Sequence, residues 1–140
     1  YKLVHFCHRN NIRKDLFDLR CRYINNLSPV EWYNLYASMS LNVSNYFHGA
    51  CLGLVNHVPT IVVDDSRNNY LSKYAQVMQD LGMSDRLFFS KNLDVEELID
   101  TMHYCINHID EERQRIEIAI KCERKKSMSF FKYLDSILLK

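Results

Sequence analysis

Pro59-Thr-Ile-Val-Val63 is the segment that most limits what this chain can become. It is apolar and β-branched without alternation, the pattern of a strand buried on both faces in the middle of a parallel sheet. Neighbouring parallel strands need crossover connections, usually helices. The residues before it supply one: from Leu41 to Asp64 the chain reads strand, turn, helix, tight turn, strand. His48 opens that helix, Gly49, Ala50 and Gly53 keep part of it small, and Asn56-His57 ends it. The imidazole is thereby expected at the C-terminal edge of a parallel sheet, where open α/β folds place their ligands.

The rest of the chain repeats the alternation. Residues 2–7 and Tyr23–Asn25 read as strands, with a short helix over Asp15–Arg20 between them. Ser28-Pro29-Val30-Glu31 is a helix start in which Ser28 caps, Pro29 takes the first helical position and Glu31 completes a capping box. That helix is expected to reach Met39. A helix over Tyr70–Leu81 is stopped by Gly82, and Leu87–Phe89 is a short strand. Asp94 caps a further helix with Glu97 at its third position and a stripe of Leu98, Met102, Ile106 and Ile109. Glu111/Arg115 and Glu117/Lys121 have helix-supporting spacing. A last stripe, Met128, Phe131, Leu134 and Leu138, is expected to dock a terminal helix back on the fold. The order predicts a three-layer, Rossmann-like α/β domain with a mostly parallel sheet over 1–140, its 110–140 segment a helical tail packed on it. The chain opens at Tyr1 inside a strand-like run, so we expect a fragment of a longer, two-domain protein.

A net charge of +1 over 140 residues is too small for a strong phosphate-backbone binder, so nucleic acid is not an expected partner. Five cysteines, an odd number without a CxxC pair, suit a reducing compartment. No apolar run is long enough to be a transmembrane segment. His5, Cys7 and His8 do not combine with His103 or Cys105 into a zinc-like spacing, so no metal is expected. Walker, GxGxxG and GxSxG motifs are absent, which argues against an ordinary dinucleotide cofactor and a hydrolase elbow. Arg113, Arg115, Lys121, Arg124, Lys125 and Lys126 form a basic cluster that can face a membrane surface or a polyanion. Asp110, Glu111, Glu112, Glu117 and Glu123 interleave with it and favour a solvated helix face.

Ser44, Asn45, Tyr46, His48 and Gly49 crowd one strand end and one helix start. First-turn amides there can hold a phosphate or carboxylate, His48 can act as an acid or donor, and Gly49 can leave room for an anion. Equally, Ser44 or Asn45 can cap the helix and His48 can bond to backbone. Asp64 and Arg67 follow the next strand on the same edge: a carboxylate able to accept a hydroxyl, and a guanidinium able to clamp an anion. Lys73, near the next helix start, can reach over the crevice or lie on the surface. One of Tyr70 and Tyr74 is expected against the sheet.

The block Ser28–Gly82 resembles the polysaccharide pyruvyl transferase family in its C-terminal part. The residues that carry the resemblance are the Ser-Pro-Val-Glu-Trp32 helix entrance, Ser44-Asn-Tyr-Phe-His48-Gly49, Gly53, Val58-Pro59-Thr-Ile-Val-Val63, Lys73 and Leu81-Gly82. The resemblance implies a GT-B-like protein of two Rossmann-like halves, of which this chain is mostly the C-terminal one. The missing N-terminal half would be a partner. It implies transfer of a pyruvyl group from phosphoenolpyruvate to a sugar of a cell-surface polysaccharide, with a glycan or lipid-linked saccharide as acceptor. It further implies a cytoplasmic location reaching the inner membrane face. His48 matches the family histidine, whereas Tyr46 stands where the family often has an arginine, and a phenol lacks that residue's charge and fork. Two other activities fit the same architecture: a GT-B nucleotide-sugar glycosyltransferase, and a non-catalytic glycan-binding or interaction domain.

Overall fold

The computed structural model describes residues 3–6, 21–24, 27–65 and 72–138. Cys7, His8, the expected helix Asp15–Arg20, Arg67 and Tyr70 lie outside the described residues. The chain divides into two compact units, Tyr1–Leu35 and Tyr36–Lys140.

In the first unit β1 (Leu3–Phe6) and β2 (Cys21–Ile24) pair in parallel, with Leu3 opposite Cys21 and Phe6 opposite Ile24. Helix α1 (Pro29–Ala37) starts with the expected capping box. Glu31 Oε2 accepts from the Ser28 N–H at 2.8 Å, and Ser28 Oγ accepts from the Glu31 N–H at 3.4 Å. The helix ends two residues earlier than its expected limit, Met39. The division between the units falls within it.

The second unit holds the segment that opened the sequence argument. β3 (Asn42–Ser44), β4 (Thr60–Asp64) and β5 (Leu87–Phe89) form a three-stranded parallel sheet in that order. Helix α2 (Phe47–Val55) connects the first pair and α3 (Lys73–Asp80) the second. Parallel register puts Ser44, Val62 and Leu87 side by side, and Val43, Ile61 and, one step on, Val63 with Phe88. Side chains alternate between sheet faces, so each row meets a different layer. Val62 and Leu87 pack with Ala50 and Leu54 of α2, Tyr74 and Met78 of α3, and Ile116. Ile61, Val63 and Phe88 pack with Leu98, Met102 and Cys105 of α4 (Val95–Asn107) on the other side. This unit is therefore a three-layer α/β arrangement, helix–sheet–helix, as the unbroken apolar run of β4 requires. The order of the three strands runs straight through without reversing.

Asp94 caps α4 as its spacing predicts, accepting from the Glu96 and Glu97 N–H groups at 2.9 and 3.2 Å. The cap of α3 is Ser72, whose Oγ accepts from the Ala75 N–H at 3.0 Å, so that helix starts later than expected. Helices α2 and α3 close with the same device. Val58 N–H bonds to Gly53 O and His57 N–H to Leu54 O; Met83 N–H bonds to Met78 O and Gly82 N–H to Gln79 O. Both are Schellman motifs, which need one left-handed residue. Gly82 takes it with φ 65° and His57 with φ 56°.

Helix α5 (Ile109–Leu138) is a single rod of 30 residues. Its start is tied to the turn before β5. Arg86 forks onto Glu112, with Nη2 to Oε1 at 2.8 Å and Nε to Oε2 at 3.2 Å, and both side chains are buried. Arg115 donates to both Asp85 oxygens, at 2.7 and 3.0 Å, and to the Gly82 carbonyl at 2.6 Å. Ile116, Ala119 and Ile120 then join the core. Beyond them Met128 and Phe131 of the expected docking stripe are exposed and Leu134 is half-buried. A helix without a break between Lys121 and Leu138 cannot turn its far end onto the sheet.

Candidate functional site

The C-terminal ends of β3 and β4 and the N-terminal ends of α2 and α3 meet on one edge of the sheet. Tyr46 is the residue at the cap of α2, with extended backbone and no side-chain cap bond. Ser44 does not cap the helix, as one reading of the sequence allowed. Its Oγ accepts from the Tyr46 N–H at 3.1 Å and donates to the Tyr46 carbonyl at 3.0 Å, closing the turn before the helix. The first intrahelical bond runs from the Ala50 N–H to the Tyr46 carbonyl at 2.9 Å. The amides of Phe47, His48 and Gly49 thus precede the ladder and point out of the helix start.

His48 lies on the exposed side of this first turn. Its ring is 5.4 Å from that of Tyr46 and 5.9 Å, edge-on, from that of Phe47. Lys73, the first residue of α3, is brought to the same place: its Nζ stands 4.4 Å from the centre of the Phe47 ring. Expected either to reach over the crevice or to lie on the surface, it is exposed and stands in a cation–π contact with Phe47. Tyr74 follows it. Its hydroxyl donates to the Asn45 carbonyl at 2.8 Å, and its ring meets Phe47 edge-on at 5.4 Å. Burial first, then the charges of Asp65 and Asp64, push the Tyr74 phenol above its ordinary pKa. Asp64 itself is buried at the end of β4, on the sheet face that carries Thr60 and Val62, while Asp65 is exposed. Ser44, Asn45, Tyr46, His48, Gly49, Asp64 and Lys73 are all drawn to this edge.

Gly49 has a different reason from the expected one. A Cβ there would come within 2.7 Å of the Tyr36 Oη and 2.9 Å of the Ser44 Oγ. The space a side chain would take is filled by two hydroxyls. Tyr36 is buried, which raises its phenol pKa, and the nearby Tyr46 phenol adds to the rise. One turn on, a Cβ at Gly53 would fall on the Asn42 amide and the Thr60 hydroxyl. Those two are buried polar groups at the start of their strands. Asn42 Nδ2 donates to the Gly49 carbonyl at 3.1 Å and to Thr60 Oγ1 at 3.4 Å, and Thr60 Oγ1 donates to the Val58 carbonyl at 2.8 Å. Sequence reading missed the roles of Tyr36, Asn42 and Thr60, while Tyr74 is the one of the Tyr70/Tyr74 pair seen to pack in the core. The glycines at i and i+4 were the available signal, since a notch that small implies something polar and bulky filling it.

Beneath the edge, between α2, β4 and α3, lies an apolar gap of about 10 Å³ lined by Phe47, Ala50, Cys51, Val62 and Tyr74 among others. It holds at most a single water. Burial raises the Cys51 thiol pKa against the opposing charge of Lys73. A ligand would therefore lie outside this gap, over His48, Tyr46 and Lys73. The arrangement supplies what an anionic ligand needs: three outward amides, an ammonium and an imidazole at a helix start.

No curated protein and no solved structure matches the chain. The family model for polysaccharide pyruvyl transferase matches residues 1–67. The matched span includes the Ser28 helix entrance, the His48 turn and Pro59, and stops short of Lys73 and Gly82. Residues 1–67, just under half of the chain, are similar to the polysaccharide pyruvyl transferase family.

Proposed function

We propose that this chain serves the transfer of a pyruvyl group from phosphoenolpyruvate to a sugar of a cell-surface polysaccharide. The observation that carries the reading is positional: every candidate site residue except Lys73 falls inside the family match, and Ser44, Asn45, Tyr46, His48, Gly49, Asp64 and Lys73 lie at one sheet edge. In this reading the α2 amides and Lys73 hold the donor's phosphate or carboxylate. His48 protonates the terminal methylene carbon of the enol, which makes the neighbouring carbon electrophilic. One sugar hydroxyl adds there, the carbon–oxygen bond to phosphate breaks, and a second hydroxyl closes the ketal. The two hydroxyl protons replace the one given by His48 and protonate the departing phosphate. The acceptor is a glycan or lipid-linked saccharide, presented by an N-terminal half that completes a GT-B-like cleft on the cytoplasmic side of the membrane.

Calorimetric titration of the chain with phosphoenolpyruvate and, separately, with UDP-glucose tests this. Binding of phosphoenolpyruvate alone is expected, weakened roughly 10-fold or more by His48→Ala, the value of a lost hydrogen bond to a charged group. Equal binding by the variant would remove His48 from the proposal. Preference for the nucleotide sugar would turn the reading to a glycosyltransferase.

A further inference from the structure

The last 15 residues of the described part of α5, 124–138, carry Arg124, Lys125, Lys126 and Lys132 against a single acid, Asp135. This segment is net +3 in a chain of net +1, so the remaining residues sum to −2. The acids that interleave with the basic cluster all lie before it. At 100° per residue, Phe130, Phe131, Tyr133, Leu134 and Ile137 share one arc of the helix, with Lys126 inside one margin of it and Arg124 just beyond the other, while Lys125, Lys132, Ser129 and Ser136 share the opposite arc. The aromatic arc has no cover: Phe130, Phe131 and Tyr133 are 57%, 60% and 62% exposed. Three large rings left in water on one helix face mark a surface that meets something.

We propose that this end of α5 lies flat on an anionic membrane surface, with Phe130, Phe131 and Tyr133 in the headgroup layer and Arg124 and Lys126, at the margins of the aromatic arc, against lipid phosphates. The charge selects this occupant. A second copy would add the +3 of its own segment to the +3 of this one, whereas an anionic bilayer complements the charge. The segment lies on the surface and does not enter as a span: 15 residues reach only about 22 Å, and no described helix is long and apolar enough to cross a membrane. The inference goes beyond the pyruvyl-transfer proposal and is independent of it, since it uses no residue of that site.

Co-sedimentation of the whole chain with vesicles decides it. Binding to phosphatidylcholine vesicles containing 30% phosphatidylglycerol is expected to exceed binding to pure phosphatidylcholine by about tenfold and to fall several-fold between 0.1 and 0.5 M salt. Phe130→Ser with Phe131→Ser, and separately Arg124→Glu with Lys126→Glu, should each reduce it roughly tenfold while the circular dichroism stays unchanged. Absence of binding to the anionic vesicles overturns the proposal. So does a dimer by light scattering that the double serine variant abolishes, because the face would then belong to a second copy.

Discussion

His57 holds a backbone conformation that glycine adopts freely and other residues adopt at a cost of about 1 kcal/mol or more. Its neighbour in role, Gly82, shows the unstrained solution at the end of α3. His57→Gly is therefore expected to raise the stability of the unit by roughly 0.5–1 kcal/mol in urea titration; a loss would mean that the imidazole makes a compensating contact. The glycines of α2 argue in the other direction. Alanine improves helix propensity by about 1 kcal/mol, but overpacking costs typically ~1–3 kcal/mol. Gly53→Ala, which drives a methyl into the Asn42–Thr60 pair, should destabilise by roughly 2 kcal/mol, and Gly49→Ala by less. Adding Tyr36→Phe to Gly49→Ala should recover part of that loss by removing the nearest oxygen, a coupling that a double-mutant cycle measures.

At the scale of elements, the turn before β5 and the start of α5 are joined by charge. The Arg115 hydrogen bond and the nearby Arg86 hold the Asp85 carboxyl below its ordinary range. A folded-state pKa below the unfolded one adds stability that is full above the unfolded value, near 4, and is lost as pH falls through the folded value. Asp85→Asn should thus lower stability at pH 7 and make no difference at pH 2, as read by denaturant midpoints at both. An equal deficit at both would assign the loss to shape and not to charge. Elements were largely legible in the sequence because their signals are local: the Ser28 capping box, the Asp94 cap, the unbroken β4 run and the Gly82 stop. The start of α3 was not, because Tyr70-Leu71 extends the apolar pattern upstream and hides Ser72. The site was legible in outline only. Tyr74 reaches Asn45 across 29 positions, and Asn42 reaches Thr60 across 18; no local spacing announces such pairs.

For the whole molecule, α5 divides into a packed part and a projecting part. Ile116, Ala119 and Ile120 belong to the core, and residues 124–137 are exposed or nearly so. Ending the chain after Glu123 should leave the thermal midpoint nearly unchanged, within about 0.5 kcal/mol, the range of surface changes. Ending it after Gln114 should unfold the unit, since Ile116 goes with the cut; removal of one buried isoleucine side chain alone costs roughly 2–5 kcal/mol. A stable product of the shorter chain would show that the sheet does not need this helix.

The seam of Asn42, Thr60 and the two glycines also governs how the edge behaves when occupied. Sliding α2 by a single residue would withdraw the Gly49 carbonyl from its amide donor and push a side chain into the notch. The helix is accordingly a fixed floor. Any ligand arriving there meets a stationary backbone, and accommodation of differently shaped molecules falls to the rotamers of Tyr46, His48 and Lys73.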